Sequence, residues 1–333
     1  MTKALVTGGT GFIGSHVVRR LLKEGMAVRC LARPGSSRRN LEGLSVEISE
    51  GDLQDRPSLD RAAAGCDHLF HVAADYRIWA RHPEELIRSN VEGTRNMLEA
   101  AAQAGIKRVV FTSSVAAVGR PVLSDGTLGV GREELDPPPG QQVGIYKQTK
   151  FQADLVAREY AKKGLPVVIV CPAAPIGSHD IKPTPTGRLI LDFLNRKMPA
   201  YIETGMNFID VEDVAYGHSQ AAGKGRTGER YILGNVNLSL KEFLQKLADV
   251  SGLPAPKIRI PYAVAWLAGA ISTGIANITG REPRIPLDGV RMGHAPMYYD
   301  PSKAVKELGL PQKPIEIAIQ KAVDWFRKNG YVR

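Results

Sequence analysis

The 333-residue sequence predicts an α/β fold: a doubly wound parallel sheet with a smaller C-terminal α/β lobe. Three features point there. Short β-branched apolar runs alternate with longer amphipathic stretches through the first half, the glycines of TGGTGFIG stand between the first such run and the first helical pattern, and proline becomes frequent after residue 172. Taken in order, Ala4–Thr7 reads as a strand, Ile13–Lys23 as a helix and Ala27–Ala32 as the second strand. After the short apolar run Val46–Ile48 come a strand at Leu69–Ala73, a helix around Asn90–Gln103 and a strand at Arg108–Ser113. The helical segment Tyr146–Lys163 then leads to the strand Val167–Cys171, closed by Pro172. Runs that are apolar throughout suit strands covered on both faces, as in a parallel sheet between two helical layers.

The first domain therefore spans residues 1–172. The chain is expected to return to it near 208–235, because Phe208–Val214 reads as a strand leading into a helix. Residues 173–333 otherwise form the second lobe, where Pro175, Pro183, Pro185 and Pro199 punctuate short strands and separate helices. Within it, Val264–Ile278 is the most apolar stretch and reads as a packed helix bounded by Pro261 and Gly280, shorter than a bilayer-spanning segment.

Composition narrows the function classes. A 43% hydrophobic and 23% charged chain is an ordinary globular protein. Its 44 basic and 34 acidic residues leave a net charge of +10, but the basic residues are dispersed without interleaved aromatics, so a nucleic-acid partner is not expected. The three cysteines, Cys30, Cys66 and Cys171, lie far apart with no CxxC, and seven histidines show no HxH or HxxxH spacing. Neither a disulfide framework nor a metal site is expected, and a reducing cytoplasm suits the chain. No apolar run of signal-peptide length precedes the glycines, so neither secretion nor a membrane span is expected. Peripheral contact through Val264–Ile278 stays open.

Gly8, Gly11 and Gly14 mark a strand that turns sharply into a helix whose first N–H groups face a pyrophosphate, with Thr10, Phe12 and Ile13 completing the turn. The placement makes the first domain a Rossmann-type dinucleotide-binding domain. At the end of the second strand such sheets usually carry an acid for the ribose hydroxyls. No acid occurs between Met26 and Leu41; Arg33 stands at the strand end, with Arg38 and Arg39 beyond it. Guanidinium groups there suit a 2′-phosphate, so NADP is the expected cofactor and NAD the alternative. Asp52 and Leu53, after the next apolar run, are positioned to flank the adenine, although an Asp there is also a common turn residue.

Tyr146 and Lys150 form Y-x-x-x-K, which puts both side chains on one helix face. Hydride transfer at a carbinol requires a proton to move at its oxygen, and a phenol is a weak base near neutrality unless a nearby ammonium lowers its pKa. With the cradle roughly 130 residues upstream and Thr112-Ser113-Ser114 closing a strand between them, the chain resembles the extended short-chain dehydrogenase/reductase (NAD-dependent epimerase/dehydratase) family. The likeness covers nearly the whole chain: TGGTGFIG, HVAA at 71–74, SNVEGTRNML around Asn90, FTSSVAAVG at 111–119, YKQTK at 146–150 and FIDVEDVA at 208–215.

That resemblance implies catalytic residues Ser114, Tyr146 and Lys150, and further cofactor contacts at Ala73, Ala74, Asn90 and Pro172 as well as at Tyr146 and Lys150. In the family the active Ser or Thr lies four residues before the Tyr of V-Y-G. Here the segment is A-V-G with Val118 at the Tyr position, so Ser114 matches and Ser113 is the fallback. The segments HVAADYRIW, PAAPIGSHDIKPTPTGRLI and MPAYIETGMNFIDVEDVAYGH look most like hopanoid-associated sugar epimerases, related to dihydroflavonol reductases. Dehydratases of the family carry T-D-E where this chain has Thr112-Ser113-Ser114, so elimination is disfavoured. The resemblance also places Asp75, Tyr76, Arg77 and Trp79 at the substrate cleft.

The expected function is thus an NAD(P)-dependent oxidoreductase or epimerase acting on a small-molecule substrate, as a homodimer, by hydride transfer at a secondary alcohol or carbonyl. A non-catalytic NADP-binding redox sensor is the alternative, though such a protein would be expected to lose Tyr146 or Lys150. The apolar set in Tyr262–Ile278 suggests a substrate larger and less polar than a nucleotide sugar; otherwise Arg281, Arg284 and Arg291 would read a pyrophosphate.

Overall fold

Each interior strand sends alternate side chains into two different cores. In the computed structural model, which describes residues 1–138 and 140–332, the first domain comprises strands β1 (Lys3–Thr7), β2 (Ala27–Ala32), β3 (Glu47–Glu50), β4 (His68–His71), β5 (Arg108–Thr112) and β6 (Val167–Pro172). Helices α1 (Phe12–Lys23), α2 (Arg56–Ala63), α3 (Glu84–Ile87), α4 (Gly93–Gln103) and α5 (Gly144–Lys162) connect them, with a π turn at Arg88–Glu92 joining α3 to α4. Pro139 and Arg333, the last residue of the second lobe, lie outside the described residues.

On β1, Leu5 packs with Leu59, Met97 and Val156 of α2, α4 and α5, whereas Ala4 and Val6 pack with Val17, Val18 and Leu21 of α1. On β5, Val109 and Phe111 join the first layer and Val110 the second. This two-sided burial is why the strands read as unbroken apolar runs.

The chain continues through β7 (Ala174–Ile176), α6 (Pro185–Leu194), β8 (Ala200–Tyr201), β9 (Gly205–Asp210), α7 (Val211–Lys224), β10 (Arg230–Leu233), β11 (Val236–Ser239) and α8 (Leu240–Ser251). It ends with β12 (Ile258–Arg259), α9 (Tyr262–Thr279), α10 (Leu287–Met292), α11 (Ser302–Leu308) and α12 (Ile315–Lys328). The central sheet has the order β10-β6-β5-β4-β1-β2-β3, parallel throughout. Its winding reverses between β1 and β4, and the crevice at their C-terminal ends is where such sheets bind ligands.

The return segment divides. Its strand half, β9, pairs with β11 and β7 in the lobe's own sheet, while α7 packs beside α1 and β10 extends the central sheet. Phe208 of β9 stacks on Phe243 of α8, with ring centroids 4.2 Å apart, at the heart of the lobe's core.

The expectation of a packed helix at Val264–Ile278 is corrected. Helix α9 ends at Gly280 as read, but it is longer, at 18 residues, and only Gly269 and Ala276 along it are buried. A helix apolar on every side carries no periodicity to say which face is inside. Packing chose the small residues.

Burial also sets the acid response. His71 and His218 are enclosed, and desolvation pushes their pKa values down to about 3 and about 4. His16, His68 and His179 shift the same way. The folded chain keeps these rings neutral while the unfolded chain protonates them below about 6.5, so stability is lost as pH falls through that value. Asp180, raised by burial to about 6, opposes this over part of the window. Urea unfolding is expected to show lower stability at pH 5 than at pH 7; an equal or higher midpoint at pH 5 would contradict the burial of these histidines.

Candidate active site

The turn from β1 into α1 is built around missing side chains. Gly8 adopts φ +72° and a Cβ on it would lie 2.7 Å from the Ala73 nitrogen, so the turn presses directly on the chain leaving β4. A Cβ on Gly14 would lie 2.0 Å from the Gly8 carbonyl oxygen, so helix and turn meet only if that side chain is absent. Between them, exposed Gly11 is the N-cap of α1, and no side chain caps the helix. Its first N–H groups are left for an anion. Phe12 meets His16 edge-on and Ile13 packs into the core layer. Asn40, which sequence reasoning missed, braces the loop: its amide donates to the carbonyls of Thr10 (3.1 Å) and His179 (3.2 Å). An Asn after a strand gives no signal that sets it apart from a turn residue.

The three arginines after β2 separate. Arg38 is paired with Glu50 and Arg39 donates to Asn329. Arg33, the first residue beyond β2, is exposed, and its guanidinium has no partner among the described residues. Asp52 accepts from the Gln54 N–H at 2.9 Å, the turn geometry, and Leu53 packs on Gly93. Pro172 is buried as the last residue of β6, in register with Leu233.

On the other side of the crevice, the Ala73 N–H donates to Thr7 Oγ1 (3.1 Å), which lies 2.7 Å from His71 Nδ1. Ala74 leads to Asp75, whose N–H donates to Asn90 Oδ1 (2.7 Å); the Asn90 amide returns bonds to the Asp75 carbonyl and Thr149. Asn90, read as a cofactor contact, thus has its amide committed to holding this loop against α5. It sits in the π turn, a distortion that re-aims a helix locally.

Ser114 and Tyr146 come together: the Ser114 hydroxyl lies near enough to the Tyr146 phenol to favour its ionised form. Ser113 turns the other way and donates to the buried Asp154 carboxylate (2.7 Å), which removes it as the fallback. The Lys150 ammonium is buried and donates to the Thr112 carbonyl at 2.9 Å.

The expected electrostatics need correction. Burial raises the Tyr146 phenol above its ordinary pKa, with the nearby Ser114 hydroxyl only partly offsetting it. Burial likewise lowers Lys150 to about 8, opposed by Asp154. The Tyr146 phenol is therefore protonated at neutral pH, and Lys150 is still mostly charged there. Its neighbour Lys147, also missed, is buried with its ammonium 3.6 Å from Met297 Sδ and its pKa lowered to about 8 by desolvation and nearby Arg120. A lysine on a helix usually faces water, so the sequence carries no sign of this.

The loop after Ala74 bridges the two lobes. Arg77 is doubly paired with Asp75 and Glu85, Tyr76 donates to the Lys182 carbonyl (3.3 Å), and Trp79 Nε1 donates to Asn277 of α9 (3.1 Å). Helix α10 closes on the same region, with Gly289 near Ile78 and Asp288 against Gly144 at the start of α5.

Residues 4–234 match the NAD dependent epimerase/dehydratase family. A Synechocystis sp. protein provisionally named a dihydroflavonol 4-reductase is 48% identical, over 98% of this chain and 95% of its own. Sterol demethylase protein B of Methylococcus capsulatus is 35% identical over 98% and 99%. The crystal structure of gox2253 is 41% identical with a TM-score of 0.87 over the whole of both chains. That of a nucleoside-diphosphate-sugar epimerase from Pseudomonas aeruginosa is 30% identical with a TM-score of 0.82, covering 100% of this chain and 99% of that one.

Proposed function

Because the chain belongs to the NAD dependent epimerase/dehydratase family of extended short-chain dehydrogenases/reductases, an NAD(P)-dependent enzyme family, we propose that it is an NADPH-dependent carbonyl reductase. The observation that carries this reading is Arg33 at the end of β2, its guanidinium without a partner among the described residues, while the carboxylate of Glu50, in register with Ala32 on β3, is taken up by Arg38. The cradle suits a dinucleotide: a Cβ on Gly11 would meet only the Gly8 carbonyl oxygen, at 3.2 Å, and no side chain caps α1. Gly11, Phe12 and Ile13 would face the pyrophosphate, Arg33 the 2′-phosphate and Lys150 the nicotinamide ribose. When bound, the cofactor supplies the hydride.

The remaining chemistry belongs to the chain. Tyr146, protonated at neutral pH, donates its proton to the carbonyl oxygen as negative charge develops there. Ser114, beside Tyr146, steadies the same oxygen. Elimination finds no support: the acid near this strand, Asp154, is fully buried and ion-paired with Arg158 and Arg230.

Sugar or hopanoid-side-chain epimerisation is the second reading, favoured by the likeness to the P. aeruginosa epimerase structure. The same residues would serve it. Incubation with NADPH or NADH and a panel of aldehydes, ketones and nucleotide sugars separates the two. Reduction is expected to consume one NADPH for each product formed, whereas inversion of a carbinol with no net change in cofactor absorbance would overturn the proposal.

A further inference from the structure

Helix α9 is packed in the inverted sense, small side inward and large side outward. Its large aliphatic residues Val264, Leu267, Ile271, Ile275 and Ile278 recur at helical spacing and face outward, with exposures of 55%, 56%, 57%, 57% and 85%. Gly269, Ser272, Thr273 and Ala276 face the protein. Gly269 packs on Leu287 and Val290 of α10, while Ser272 and Thr273 accept from the Ile285 and Leu287 N–H groups at 3.2 and 2.9 Å. The usual arrangement puts the apolar stripe in the core and polar groups in water. A contiguous outward stripe of this kind marks an interaction surface.

Charge identifies the occupant. The helix holds no charged residue from Tyr262 to Thr279. Lys257 precedes it, and Arg281 and Arg284 follow it; all three are exposed and without an ion-pair partner among the described residues. The acids nearby are neutralised: Glu203 by Arg259, Glu282 by Arg188 and Asp288 by Arg291. The whole chain carries +10. Two copies meeting through α9 would bring cation to cation at the helix ends whether the helices ran parallel or antiparallel, which disfavours a self-interface.

We propose that α9 docks the enzyme on an anionic membrane surface, lying in the plane of the interface with its aliphatic stripe among the acyl chains and Lys257, Arg281 and Arg284 at the headgroups. At 18 residues the helix is about 27 Å long, enough to cross a bilayer, but its inner face is fixed to α10 and the 285–287 backbone, so it lies flat. Trp266, 40% exposed, is a suitable interfacial aromatic. Because Trp79 bonds to Asn277 and the Arg81 guanidinium packs on Gly280, the docking helix adjoins the loop that leaves β4.

Flotation of the purified full chain with phosphatidylcholine vesicles, with and without phosphatidylglycerol, tests this without any substrate, so its outcome is independent of the reductase reading. Wild type is expected to float with the phosphatidylglycerol vesicles and to be released by salt. Arg281→Ala with Arg284→Ala should weaken partitioning by about fivefold per cation removed. Ile271→Glu with Ile275→Glu should weaken it by about tenfold or more, with thermal unfolding and NADPH binding unchanged because both side chains point away from the protein. Wild type that stays unbound in both vesicle types overturns the proposal. So does an Ile271→Glu, Ile275→Glu variant that floats as well as wild type, or a wild-type dimer that this variant dissociates while vesicles bind neither.

Discussion

Replacing Tyr146 with Phe is expected to lower kcat by about 10²- to 10⁴-fold while leaving NADPH binding nearly intact. Only the hydroxyl is removed. The ring stays in α5, whose other inward residues, Lys147, Thr149 and Lys150, are buried and keep the helix in place. The Ser114 hydroxyl is not displaced, because it is held by the Ala116 N–H at 3.1 Å. Steady-state kinetics on an established substrate, together with a direct titration of NADPH, checks both halves. A variant with wild-type kcat removes Tyr146 from the proton transfer; a variant that loses NADPH as well shows that the hydroxyl does more than move a proton.

Arg33→Asp is expected to weaken NADPH by about 10- to 100-fold and NADH far less, since a charge-assisted bond gives way to a like-charge contact at the 2′-phosphate. The site isolates the effect. The Arg33 guanidinium has no partner to lose among the described residues, unlike that of Arg38, whose removal would free Glu50. Calorimetric titration of both cofactors against both proteins gives the ratio directly. A wild type that prefers NADH, or a variant that weakens both cofactors equally, excludes 2′-phosphate recognition by Arg33.

The first domain was legible because its strands are covered on both faces, which leaves uninterrupted apolar runs, and because only glycine tolerates the approaches at Gly8 and Gly14. Tyr146 and Lys150 were legible as a pair through helical spacing. What they do to each other was not. The Lys150 ammonium points to the Thr112 carbonyl, and desolvation, which depends on the surrounding fold, overrides the simple expectation of a depressed phenol. The same applies to Ser113 and Ser114, adjacent and chemically identical: the strand's pleat sends one to Asp154 and the other to Tyr146.

Among Arg33, Arg38 and Arg39, sequence showed three cations and could not show that two were already engaged. Asn40 and Lys147 were invisible because their roles come from residues far along the chain, His179 in one case and Met297 in the other. Helix α9 went astray for the opposite reason. Its composition is so uniformly apolar that hydrophobicity could not select a face, and the selection was made by close approach at Gly269 and by the hydroxyls of Ser272 and Thr273.

Transfer of deuterium from NADPH deuterated at the nicotinamide C4 tests the central claim most directly. Carbonyl reduction with proton donation by Tyr146 predicts one deuterium at the carbinol carbon of each product molecule, in step with NADPH oxidation, and loss of both in Tyr146→Phe. A product inverted at a carbinol, formed without deuterium and without consumption of added NADPH, would contradict it and establish an epimerase that returns the hydride to its own substrate.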